Sequence, residues 1–130
     1  MTYDLYMLAL ASGLAAVMWI PYIVSRVQTW GMVDALGYPE EQPDLPLWAQ
    51  RAHRAHLNLL ENLPHFAALV LIAHVAGVAN TATAFGAALF FWARVLQAIV
   101  TVAKVPYVRT AAFAAGFVGE VVIFFQIIRL

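Results

Sequence analysis

The 130-residue chain contains no cysteine. That excludes a disulfide framework, a thiolate metal site and a protein thiol nucleophile. Any sulfur chemistry here must borrow its thiol from a ligand. Charge is also scarce: 11% of residues are charged, against 64% hydrophobic, and the formal net charge is +0. Soluble domains carry about 25% charged residues, so lipid rather than water is the expected outer solvent. With no bulk basic field, nucleic acid is not an expected partner. The opening Met1-Thr2-Tyr3-Asp4 lacks the basic segment of a secretory signal, and no lipidation motif is visible. The first apolar run reads as a retained span. No internal repeat or low-complexity tract stands out.

What is present sorts into four apolar stretches, at about 5–27, 48–78, 81–103 and 107–130. Each meets the length of about 20 residues needed to cross a bilayer. A span must satisfy its backbone hydrogen bonds internally, so each is expected to be helix. The expected fold is an all-α membrane protein, a four-transmembrane-helix bundle forming a single domain. The first connection, GMVDALGYPEEQPDLP, is polar and rich in proline and glycine. The second, Ala76-Gly77-Val78-Ala79-Asn80, is a short uncharged turn, and Pro106 in the third suits the first turn of the last helix.

Arg26, Arg51, Arg54, Lys104 and Arg109 all flank the first and third connections. The positive-inside rule places those connections in the cytoplasm and both termini on the non-cytoplasmic side. Trp30, Trp48 and Tyr107 suit an interfacial belt at the same end. Small residues on the last helix (Ala111, Ala112, Ala115, Gly116 and Gly119) permit close packing within or between protomers.

The segment RAHRAHLNLLENLPHF puts Arg51, Arg54, Asn58 and Glu61 at spacings of 3, 4 and 3, on one helix face. His65 continues that face and Asn62 borders it. The third span repeats the pattern with Arg94, Gln97, Thr101 and Lys104. Ionised groups at membrane depth cost about 2.5–3.5 kcal/mol each, so they face the bundle and find partners. The stripe is either an interhelical ion-pair network or a seat for a small zwitterionic ligand. An Arg94–Glu61 contact is the expected pairing, and Pro64 is expected to loosen the second helix locally. Glu120 has no partner that the sequence identifies. His53 with His56, and Glu61 with His65, have helical spacings that a metal could use. The four histidines point in different directions, however, and no metal is expected.

The run Arg51-x-x-Arg54-Ala55-x-x-Asn58-x-x-Glu61-x-x-Pro64, with Ala93-Arg94-Val95 and Pro106-Tyr107-Val108-Arg109-Thr110, resembles the MAPEG family in its bacterial type. These are the membrane-associated proteins in eicosanoid and glutathione metabolism. The resemblance covers nearly the whole chain and implies a homotrimer with glutathione, as cosubstrate, between subunits near the cytoplasmic side. For a bacterial cell the membrane would be the inner one. Arg54, Asn58 and Glu61 would then contact glutathione, Arg51 would lie at the rim, and Arg94 and Gln97 would reach in from the third helix. Arg109 matches the family's proposed catalytic arginine, which would stabilise the thiolate that conjugates to or reduces a hydrophobic electrophile drawn from lipid, a transferase- or peroxidase-like activity; a cytoplasmic-side anchor is its other reading. Gln97 and Thr101 stand where catalytic relatives often carry aromatic or histidine residues, and Asn62 where one branch has tyrosine. The resemblance therefore leaves open a non-catalytic lipid-binding or scaffold protein of the same fold.

Overall fold

A computed structural model describes residues 1–129, and among them every regular element is helical. The first span, Tyr3–Trp30, is built from two helices, α1 (Tyr3–Val17) and α2 (Trp19–Trp30), divided at Met18. The division has a covalent cause. Pro21 has no N–H to give the Val17 carbonyl one turn earlier, so the helical ladder is interrupted there. The sequence reading carried one helix through this point.

His56 fastens the break. Its Nε2 lies 2.8 Å from the Ala15 carbonyl oxygen, and its Nδ1 lies 2.7 Å from the Tyr22 hydroxyl. A carbonyl only accepts, so Nε2 carries the ring hydrogen and Nδ1 accepts from the Tyr22 O–H. One side chain thereby ties the end of α1 to the start of α2. His53 packs on the same Tyr22 ring, with centroids 4.5 Å apart. Both histidines thus have structural partners.

Gly31, at φ +86°, turns the chain into the short α3 (Met32–Leu36). The connection that follows is held at both ends. Trp30 Nε1 donates to the Pro43 carbonyl and Gln50 Nε2 to that of Leu45, each at 2.7 Å. The second span, α4 (Leu47–Val75), runs unbroken through Pro64. The third, α5 (Thr81–Val102), opens with a reciprocal cap: Thr83 N–H donates to Asn80 Oδ1, and Asn80 N–H to Thr83 Oγ1. The fourth is α6 (Val108–Ile128). Pro106 lies before this helix rather than in its first turn, because Tyr107 takes φ +67° and postpones the helical start. Leu130, the last residue of the expected fourth span, lies outside the described residues.

All four spans are long and apolar enough to cross a membrane. The core forms where α1, α4, α5 and α6 meet, around Met7, Ala11, Leu59, Val70 and Ile123. At its centre Phe66 of α4 stacks on Phe90 of α5, with centroids 3.8 Å apart and planes 11° from parallel. The tightest pairing is α5 against α6. A Cβ on Gly86 would lie 2.5 Å from the Gly119 carbonyl oxygen, and one on Gly119 the same distance from that of Gly86. Only glycine on both helices permits that approach, in keeping with the way small residues drive helix association in lipid.

Candidate functional site

The charged residues occupy two levels. At the end of the bundle carrying the first and third connections, α4, α5 and α6 line a half-open cavity of about 640 Å³. Its lining includes Arg51, Arg54, Lys104 and Arg109, with Thr101 and Tyr107, and no acidic residue. Pockets for small ligands span about 300–1,000 Å³, so the cavity is of useful size. Arg51 bridges two walls, its Nε donating to the Val102 carbonyl at 3.0 Å. Lys104 and Tyr107 both take positive φ, at +60° and +67°. These strained residues carry the α5–α6 connection around the mouth, and Arg109 follows on the first turn of α6.

Deeper in the bundle the α4 face continues. Arg54 and Glu61 are exposed on the protomer, while Asn58 is half-buried between them. The sequence reading joined Arg94 to Glu61, and the structure corrects this. Arg94 is buried, and its Nη1 donates to Gln97 Oε1 at 2.5 Å and to Asn58 Oδ1 at 3.1 Å. The guanidinium lies over the rings of Phe90 and Phe113, their centroids 5.0 and 4.9 Å from Cζ. Gly116 makes the room, since a Cβ there would come within 3.2 Å of Nη2. Glu61 points outward on α4, whereas Arg94 is drawn into the α5–α6 seam. Arg94 Nε and Nη2 have no hydrogen-bond partner among the described residues.

Glu120 acquires a neighbour that the sequence did not identify. His65 Nε2 lies 3.2 Å from its Oε1, and among the described residues no Lys or Arg makes an ion pair with a carboxylate. The two residues are on different helices and distant in the chain, so no spacing signal could have joined them. Among the described residues no group of three or more His, Asp or Glu is arranged to hold a metal.

The structure thus brings Arg51, Arg54 and Arg109 together in the basic cavity and adds Lys104. It sets Asn58 and Gln97 around Arg94 below, with Gln97 buried by the guanidinium rather than facing an open surface. Glu61 stands apart on the outer face of α4.

Four apolar spans, a cationic cleft at one end and a polar strip on an outward face define a small helical membrane protein of multi-pass topology. The match to a family model narrows this. The chain belongs to the MAPEG family, whose model covers residues 5–129. No curated protein and no solved structure matches it.

Proposed function

We propose that this protein binds glutathione along α4, between the basic cavity and Glu61, and uses it against hydrophobic electrophiles that enter from the membrane. The carrying observation is the charge layout. Cations line the cavity without an acid among them, and Glu61, a carboxylate with no ion-pair partner among the described residues, is exposed two turns further along the same face. Glutathione has two carboxylates and one ammonium group. Arg51 and Arg54 suit the carboxylates through charge-assisted hydrogen bonds, and Glu61 suits the ammonium.

The lengths agree. Arg54 and Glu61 are seven residues apart, about 10.5 Å at 1.5 Å per helical residue. An extended tripeptide reaches about 10–11 Å. Arg94 has N–H groups without a partner among the described residues, and Asn58 is half-buried between Arg54 and Glu61, so both can complete the seat from below. Gln97 then serves by holding Arg94.

Bound there, glutathione supplies a thiol whose deprotonated form attacks electrophilic carbon. Arg109 is the side chain assigned to that form. A guanidinium beside the sulfur favours thiolate over thiol, and the thiolate is the nucleophile. The exposed, ionised strip on α4 is costly against lipid, which supports covering by further copies of the chain in a homotrimer. The cavity end faces the cytoplasm in this reading, because its connections carry the arginines and the lysine.

Conjugation of glutathione to an aryl halide by purified protein in detergent tests the chemistry. The expected result is turnover above the spontaneous rate, reduced in Arg109→Ala. Wild-type protein indistinguishable from buffer would reduce the function to binding alone.

A further inference from the structure

The basic cavity holds more positive charge than glutathione can match. Arg51, Arg54, Lys104 and Arg109 bring four cations and no acid to its wall. A glutathione thiolate has three negative groups, assigned to Arg51, Arg54 and Arg109, and its ammonium is assigned to Glu61 outside the cavity, so one cation, Lys104, is left over. Two other features locate that excess. The remaining wall is partly apolar, formed by Leu47, Val100, Val105 and Pro106. The cavity also opens at the bundle end where Trp48 and Tyr107 are exposed, side chains suited to the headgroup layer. A cationic pocket between membrane helices at that depth, with an apolar flank for the start of an acyl chain, is complementary to an acidic lipid headgroup.

We infer that the mouth of this cavity seats the phosphate of an anionic phospholipid, with Lys104 as its charge partner. The lipid sits beside the tripeptide seat rather than in it, since Lys104 is the one cation of the four that the glutathione reading does not use. Its phosphate would hold the α5–α6 connection in its strained form and keep Arg109 aimed at the cavity. The inference concerns a separate ligand, and its readout does not require glutathione to bind.

The test is lipid retention. Purified full-length protein is equilibrated in nanodiscs of equal parts phosphatidylcholine and phosphatidylglycerol, extracted gently, and its retained lipid measured by native mass spectrometry. Phosphatidylglycerol should be retained in preference. Lys104→Gln should lower that preference by about fivefold, the effect of about 1 kcal/mol per basic residue near a lipid surface, and Lys104→Arg should keep it. Stabilisation of the wild-type protein by glutathione, measured in a separate titration, tells failure of the tripeptide seat from failure of the lipid seat. Equal retention of the two lipids by wild-type protein overturns the inference, as does a preference that survives Lys104→Gln. Complete displacement of the lipid by millimolar inorganic phosphate would also overturn it, by showing a free-anion site instead.

Discussion

Arg94 is the residue on which the interior of the site is arranged. Two amide oxygens, two aromatic faces and a glycine accommodate its guanidinium. The helical spacing placed Arg94 and Gln97 on one face, and Arg51, Arg54, Asn58 and Glu61 on another. It could not say how far each face was turned toward its neighbour, and that rotation decides Arg94's partners. Removing Glu61's charge should be the cleaner perturbation. Glu61→Gln takes away one charge-assisted contact, worth about 1.5–3 kcal/mol, and glutathione affinity measured by calorimetry should fall roughly tenfold or more. Arg109→Ala should act differently, sparing affinity and slowing conjugation. Loss of a nearby cation raises a thiol's pKa by about one to three units, so the rising limb of the pH–rate profile should move to higher pH. An unshifted limb would assign Arg109 to anchoring alone.

At the scale of elements, the four spans were legible because lipid demands long apolar helices, and their observed ends lie within a few residues of the expected ones. The break at Met18 was missed although Pro21 was in plain view. Proline affects the carbonyl four residues earlier, and whether the helix resumes smoothly depends on what meets it. Here His56 meets it, from another helix. His56→Ala should therefore destabilise the protein by about 2 kcal/mol, since two buried polar groups lose a partner. A double-mutant cycle with Tyr22→Phe in thermal unfolding should show coupling, and additive effects would contradict the bridge. The α5–α6 contact shows the same limit. Gly116 and Gly119 stood out in the sequence, but Gly86 did not, because close approach belongs to a pair of helices. Gly86→Leu should force the helices apart at a cost of about 1–3 kcal/mol, seen as a lower midpoint of thermal unfolding. An unchanged midpoint would mean the two backbones are not in contact.

For the whole molecule, composition decided the environment and the family match settled the class. Neither reveals what lies against the outward face of α4. Arg54 and Glu61 are exposed on a single protomer, and about 2.5–3.5 kcal/mol per ionised group argues against leaving them to lipid. Mass measurement of the detergent-solubilised protein should give three copies, and a stable monomer would remove the proposed cover. The central claim, however, is that the charges along α4 answer to a ligand. Thermal unfolding of the purified protein should be followed as glutathione is added. A ligand that binds only the folded state raises stability by about 2.7 kcal/mol at a hundred times its dissociation constant. The unfolding temperature should climb with glutathione concentration, with Glu61→Gln requiring more glutathione for the same rise. A curve flat through millimolar glutathione would contradict the account.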